Sequence, residues 1–327
     1  WAVGQNDAGQ LGDGTTTDRN SSVMIVDVNV TAVAAGNSHS LYLKSNGSLW
    51  AMGSNVSGQL GDASTTDRAA PVQIEVSGVS AIAAGYDHSL FLKSDGSLWG
   101  MGENQYGQLG LGSTTDRNSS VMILEANVTS IAAGGNHSLF IKLDGSLWGM
   151  GRNFSGQLGD LTTTDRTTPV QVEPSGVTSI AAGHEHSLFL KSDGSLWGMG
   201  ENQYGQLGIG STTDQNSSVQ IESNVTAVTA GFDHSLYIKT DGSLSAMGRN
   251  HVGQLGDGGN LDRNSSEQIL ASGVSGVFAS ASGHHSLYLK TDGSLWATGV
   301  NSGGQLGDGT LTHRSSPVQV NKALTLN

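Results

Sequence analysis

The stretch HSLFLKSDGSLWGMGENQYGQLG occupies residues 88–110 and returns, letter for letter, at residues 186–208. A catalytic centre rarely needs a second copy of itself, whereas a structural unit laid down many times does. Working outward, GQLG recurs at Gly9, Gly58, Gly107, Gly156, Gly205, Gly253 and Gly304, in steps of 49, 49, 49, 49, 48 and 51 residues. A tryptophan keeps the same beat at Trp1, Trp50, Trp99, Trp148, Trp197 and Trp296, with Ser245 in the sixth slot. Seven units therefore cover the chain, and a period of this size signals a solenoid, a propeller or an array.

Each unit reads as four short strands. VSAIAAG (residues 79–85) leads into HSLFLKS (88–94), and Asp95-Gly96 marks a two-residue hairpin turn because both residues tolerate positive φ. SLWGMG (97–102) returns, and a Gly-, Thr- and Asp-rich loop leads to a fourth strand, PVQI (71–74) in the preceding copy. No segment has the length or the 3.6-residue periodicity of a helix. Both faces of SLFL are apolar, as in a sheet packed on both sides. In LWGMG, Trp99 and Met101 share one face while Gly100 and Gly102 leave room on the other, so one sheet's tryptophan is expected to fill its neighbour's hollow. Four-stranded units placed radially make a propeller. The expected fold is all-β, a seven-bladed β-propeller of four-stranded antiparallel blades forming one domain over residues 1–327.

Composition narrows the function. Cysteine is absent from the 327 residues, which removes disulfides, Cys-ligated zinc and thiol catalysis together. Lys plus Arg is 15 against 28 Asp plus Glu, a formal charge of −13. That sign opposes sequence-independent binding to nucleic acid or anionic membrane, both of which require positive charge. No run of eighteen apolar residues and no basic-then-apolar start is present, so neither a membrane span nor a signal peptide is expected.

IAAGYDHSLFL (82–92), IAAGGNHSLFI (131–141) and IAAGHEHSLFL (180–190) resemble the signature of RCC1 repeats, the regulator of chromosome condensation type. So do the W-x-x-G-x-N-x-x-G-Q-L-G stretches, as in residues 99–110. The resemblance covers nearly the whole chain and implies a seven-bladed β-propeller; a bacterial member, extracellular or surface-associated, is expected. It departs at FASASGHHSLYL (278–289), where the spacing slips, and at Ser245. The His-Ser strand occurs six times, at His39, His88, His137, His186, His234 and His285, against seven GQLG strings. The chain opens on the Trp strand and ends PVQVNKALTLN (317–327), matching the stretch before a seventh His-Ser strand. One blade is thus expected to be shared by the two ends and to lack a strand, with a fragment boundary the favoured cause. A monomer is expected, with strand exchange at the open blade as the alternative.

Candidate chemistry is sparse. The periodic histidines sit one to a blade and cannot converge, so they are read as satisfying local backbone groups; with Trp50, Trp99, Trp148 and Trp197, the histidines His88, His137 and His186 count as structural. His184 and His186 stand at i and i+2, but one of them is the periodic residue, so no metal site is assigned. GDGTTTDR (12–19) and its relatives lack the ligand pattern of an EF-hand, and their Asp-Arg doublets, such as Asp67–Arg68, are read as local ion pairs. The sequons at Asn20, Asn118, Asn216 and Asn264 are read as turn chemistry. Glu103 and Glu201 occupy the same position in different blades and are no acid–base pair. No nucleophile elbow, phosphate loop or dinucleotide fingerprint is present, and neither an enzyme nor a cofactor is expected.

If the identical positions build the scaffold, function falls where the copies differ. Two loops vary: the pair between Ala-Ala-Gly and His, and the residues around the Asn of W-x-x-G-x-N-x-x-G. They hold Tyr86, Asp87, Glu103, Tyr106, Arg152, Phe154, His184, Glu185, Tyr204, Phe232, Asp233 and His251 as binding-face candidates. Aromatics on loops are costly to leave in water and suit recognition. The expectation is a non-enzymatic scaffold gripping a protein or glycan with these loops. A spacer domain without a ligand of its own and a β-lactamase-inhibitor-like protein are the alternatives. Guanine-nucleotide exchange, another activity of the family, fits least because steps this even leave no room for a wedge-like insertion.

Overall fold

The structure, a computed structural model, describes residues 1–26 and 28–320. Every regular element in it is a strand. Six four-stranded sheets span residues 30–75, 79–124, 128–173, 177–222, 225–270 and 274–319, and in each one strand pairs antiparallel with the next in sequence. We number these blades one to six. A further sheet of β1 (Ala2–Gly4) and β2 (Arg19–Val23) supplies the two outer strands of the seventh blade. The tail matched to its next strand, residues 321–327, lies outside the described residues.

The ring closes through its loops. The segment joining the third and fourth strands of each unit, which carries GQLG, donates a backbone N–H to the outermost strand of the next blade. Gly14 reaches Ala69 O, Ala63 reaches Asn118 O, Gly112 reaches Thr167 O, and Leu161 reaches Asn216 O. Gly210 reaches Asn264 O, Gly258 reaches Ser315 O, and Gly309 returns to Asn20 O in the seventh blade. Seven joints carry seven equivalent bonds. Asn20, Asn118, Asn216 and Asn264 therefore sit in strands at blade joints and not in turns, because the loop of the preceding blade needs their carbonyls.

The second blade, β7 (Val79–Ala84), β8 (His88–Lys93), β9 (Leu98–Gly102) and β10 (Arg117–Leu124), shows how the hydrophobic core is distributed. Phe91 and Met101 are fully buried against Leu41, Leu43, Leu49 and Leu60 of blade one, so the apolar interior lies between blades. Each such side chain contributes about 1.5–3 kcal/mol by leaving water. Trp99 closes the same cluster as expected, but only half-buried. Its indole stacks on Phe91 with centroids 6.1 Å apart, lies under Lys93 Nζ at 4.3 Å, and donates Nε1–H to Ser97 Oγ at 2.9 Å. The tryptophan is a lid on the joint, while phenylalanine and methionine are its filling.

The periodic histidines also work across joints. His39 Nε2 meets Ser89 Oγ at 2.9 Å, His88 meets Ser138 at 3.0 Å, and the pattern continues through His137–Ser187, His186–Ser235 and His234–Ser286. Each serine hydroxyl donates to a glutamine carbonyl, as Ser89 does to Gln59 O at 2.7 Å. Local backbone satisfaction is therefore not their role: the Nδ1 atoms of His39, His88, His137, His186 and His234 find no partner, and the bond runs to the following blade.

Candidate functional site

The two variable loops of each blade lie side by side at one end of the disc, because strands one-to-two and three-to-four turn at the same end of an antiparallel meander. Backbone bonds knit them together: Glu103 N–H donates to Asp87 O, Arg152 to Asn136 O, Glu201 to Glu185 O and Arg249 to Asp233 O, all at 2.8 Å. The loop itself is built on a buried asparagine. Asn104 accepts the Leu109 N–H through Oδ1 at 2.9 Å and donates Nδ2 to the carbonyls of Ser113 and Thr115. Its own N–H is taken by Asp116. Asn6, Asn55, Asn153, Asn202, Asn250 and Asn301 repeat the arrangement with no exposed surface.

The doublets read as Asp-Arg ion pairs are split in the structure. The aspartate caps the loop asparagine, as Asp18 and Asp67 do, while the arginine pairs with an aspartate six residues earlier: Arg19 with Asp13, Arg68 with Asp62, Arg166 with Asp160 and Arg263 with Asp257; Arg314, which follows His313, pairs likewise with Asp308. In the second blade Leu111 stands where five of the other six units carry that aspartate, Ile209 being the other exception, and Arg117 Nε is buried without a partner.

Around the mouth of the central channel the first variable position forms a chain of backbone bonds. Asn37 N–H donates to Tyr86 O, Tyr86 to Gly135 O, Gly135 to His184 O, His184 to Phe232 O and Phe232 to Gly283 O, at 3.0–3.2 Å. Between blades six and one, Ser280 Oγ donates to Ala35 O at 3.0 Å. The slip at residues 278–289 thus falls at the joint where the seventh blade would present its inner strands. Below the mouth runs a cavity of about 470 Å³ lined largely by alanine, with Val33 and Phe278 beside that joint. Val33 is 77 % exposed, whereas its counterparts Ile82, Ile131, Ile180 and Val228 are partly covered.

Four of the candidate aromatics are half-buried and partnered. Tyr86 meets His184 edge-on at 5.9 Å, His184 stacks on Phe232 at 4.0 Å, and Phe232 tilts over His284 at 4.7 Å. His251 approaches His284 at 5.7 Å, completing an arc across blades two to six. Gly135 makes the arc possible, because a Cβ there would lie 2.7 Å from the His184 ring. Tyr106 lies under Arg152 at 5.2 Å and Tyr204 under Arg249 at 4.7 Å. The arginines are in turn neutralised: Arg152 by Glu185 at 2.8 Å and Arg249 by Asp233 at 3.0 Å. Phe154 is different, a loop-tip ring 73 % exposed.

Electrostatics single out one spot. Burial raises Asp87, and it raises Glu103 with help from the Asp87 charge. Glu201, 7 % exposed, is pushed up to about 7 by burial first and by the carboxylates of Asp233, Glu185 and Asp214, against the bond it accepts from Gln203. Burial likewise raises Asp233, opposed by Arg249. His184 and His251 are lowered by burial, and His284 to about 4 by burial and the Arg249 charge.

Sequence reasoning missed Gln59, which links its loop to Asp87 at 2.9 Å, as well as His284 and the mutual influence of the Glu201 and Asp233 carboxyls. The GHH at residues 283–285 was a visible signal for His284. The other contacts cross joints between units distant in sequence, where no local pattern announces them.

The family model described as RCC1-like domain matches residues 1–326. No curated protein sequence matches the chain. Among solved structures, human WBSCR16 superposes with a TM-score of 0.85 at 22 % identity, covering 98 % of this chain and 92 % of that one. Prp20p from Saccharomyces cerevisiae, characterised for its binding to Gsp1p and histones, gives 0.86 at 20 % identity, with 99 % and 86 % covered. The same yeast protein bound to Kap60 gives 0.86 at 21 % identity, covering 99 % of this chain and 83 % of that one.

Proposed function

This chain belongs to the RCC1-like domain family, and from that premise we propose that it is a non-enzymatic scaffold that binds a partner protein with the loop end of its propeller. One observation carries the reading. The residue after each buried loop asparagine is exposed in all seven units, and it is nearly different every time: Asp7, Val56, Gln105, Phe154, Gln203, His251 and Ser302. A fold that repeats its interior so strictly and varies its outermost tips offers a composite surface of seven positions. Phe154 and Val56, both more than two-thirds exposed, are its apolar points. Solved relatives of this fold hold protein partners, Kap60 in the case of yeast Prp20. A glycan is the other ligand class that exposed aromatics serve.

The spacer reading draws support from the half-burial of Tyr86, Tyr106, Tyr204 and Phe232, whose contacts are already made within the chain. The discriminating experiment places a photocrosslinker at position 154 and, as a control, at position 193 in a hairpin turn at the opposite end. A protein captured from position 154 alone, rebound in purified form and weakened at least about tenfold by Phe154→Ser, a hot-spot loss, is the expected result. Equal labelling from both positions, or binding indifferent to Phe154→Ser with the fold intact, would leave the spacer reading in place.

A further inference from the structure

The exact repeat supplies an internal control. Residues 88–110 and 186–208 are identical, so Glu103 and Glu201 share most of their local chemistry; within the blade Asp87 becomes Glu185, one carboxylate for another, and the change of chemical type is in the residue that the next blade brings to each. Glu103 faces Asn136, whose amide nitrogen, oriented as its neighbours require, donates to Glu103 Oε2 at 2.9 Å. At the position equivalent to Asn136 the next blade brings Asp233 to Glu201 instead, both residues are buried, and each bears on the other's ionisation. Their other contacts do not resolve the encounter. Glu201 Oε2 accepts from Gln206 at 3.1 Å and Oε1 from Gln203, while Asp233 Oδ2 accepts from Arg249 at 3.0 Å. Two buried carboxylates cannot face each other without a donor between them. Where the second blade uses an amide N–H, the fourth has only a proton.

We propose that Glu201 and Asp233 share one proton across the joint between blades four and five, and that its release loosens this joint as a pH-operated latch on the loop face. The step is a simple dissociation: one carboxylic acid and one carboxylate become two carboxylates, and the proton leaves to solvent. Every neighbouring charge bears on it. Glu185 and Asp214 add negative charge around Glu201, although Glu185 is held by Arg152 at 2.8 Å. Arg249 and His184 favour the charged form of Asp233, so the proton resides on Glu201. Among the described residues no cation is paired with Glu201 to absorb its charge once the proton is gone. Phe232 adjoins Asp233 in the chain and stacks on His184 across the same joint, so strain there reaches the aromatic arc at the channel mouth.

Three chains test the latch: the wild type, Glu201→Gln and Asn136→Asp. Glu201→Gln fixes the neutral state and leaves the Asp233–Arg249 pair untouched. The folded carboxyl titrates near 7 and the unfolded one near its ordinary 4.5, so stability should fall as pH rises between them and then level off. The unfolding constant of the wild type relative to Glu201→Gln is expected to rise by up to about tenfold per pH unit over that window, the effect of one proton. Dividing by the variant cancels the titrations remote from this pair. Asn136→Asp should build the same sensitivity around Glu103, and a carbon-13 titration of the Glu201 carboxyl should report its late ionisation directly. Parallel pH profiles for wild type and Glu201→Gln, or a Glu201 carboxyl that titrates in the ordinary range, would overturn the proposal.

Discussion

His39 Nε2 and Ser89 Oγ lie 2.9 Å apart across the joint between blades one and two, and both side chains are buried. The serine gives its proton to Gln59 O, so its oxygen accepts and the imidazole Nε2 donates. A neutral ring with its proton on Nε2 satisfies this geometry, and a second proton on the buried Nδ1 would have no acceptor, with its charge shut away from solvent. Burial accordingly holds His39 and His285 down to about 4 and His88, His137 and His186 to about 3.

Acid should therefore take the ring apart. Unfolded histidines take up a proton near 6.5, while the folded ones refuse it until about 3–4. Depressed folded values mean that stability is complete above 6.5 and is lost as pH falls below it, by up to about 1.4 kcal/mol per histidine for each pH unit. Several histidines titrating together should give a steep, multi-proton loss between pH 6.5 and 4. Urea unfolding at half-unit pH steps measures the slope, and His88→Gln should lower it by close to one proton. A flat profile from pH 6 to 5 would contradict the buried, neutral assignment.

Asn104→Ala should cost about 2–4 kcal/mol, because it leaves the carbonyls of Ser113 and Thr115 and the N–H of Leu109 without partners in a buried loop. Asn104→Asp should cost more, since a carboxylate would then face two carbonyl oxygens. Thermal unfolding orders the three proteins, with Gln105→Ala, next door but exposed, close to the wild type.

The fold was legible because its information is periodic. The beat of Trp and GQLG, the alternation in HSLFLK and the Asp-Gly turns give strands, blades and ring without any contact being known. The candidate site was legible only as a set of differences. Tyr86 and Phe232 stand out as loop aromatics, yet nothing in the sequence says that Gly135 clears space for His184, or that Tyr106 lies beneath an arginine of the next unit. Those facts depend on which residue a neighbouring blade delivers some fifty positions away. The same reason misassigned the histidines and the Asp-Arg doublets: each was given a local partner, and the real one is in the next blade or six residues back.

Gly102 and Gly78 should respond very differently to alanine. Both have positive φ, +101° and +84°, which costs an L-residue about 1 kcal/mol. At Gly78 nothing lies within 4 Å of a Cβ, and Asn29, Asn127 and Asn224 occupy equivalent turns at φ 66°, 69° and 58°. Gly78→Ala should lose only that strain, and Gly78→Asn less, to within about 0.5 kcal/mol of the wild type. At Gly102 the Cβ would sit 2.4 Å from Asp87 O and 2.8 Å from His88 Cα, both backbone atoms that cannot yield without moving the strand. Gly102→Ala should therefore cost about 2–4 kcal/mol, the φ strain plus the roughly 1–3 kcal/mol typical of overpacked interiors. Equal melting temperatures for the two alanine variants would refute this.

Leu111→Asp tests whether the arginine clasp is portable. In five of the six other units an aspartate at this position binds the arginine six residues on, with Arg68 Nε donating to Asp62 Oδ2 at 2.7 Å, and the aspartate is nearly buried. Asp62 also accepts the loop asparagine's Nδ2 at 3.0 Å and the Ser64 hydroxyl at 2.7 Å. The second blade keeps Arg117, Asn104 and Ser113 in the matching places but has Leu111 as the acceptor's replacement, and both Arg117 Nε and Ser113 Oγ are left buried and unpartnered. Supplying the carboxylate satisfies both at once. Charge-assisted bonds to a buried donor contribute about 1.5–3 kcal/mol, against about 1 kcal/mol for the partial packing Leu111 gives up, so a net gain of about 1 kcal/mol is expected. Ile209→Asp makes the contrast, because Gln215 stands where the arginine would be and the new carboxylate would meet no cation. Leu111→Asp should raise the unfolding midpoint and Ile209→Asp should lower it; if both fall together, the clasp depends on more than its arginine.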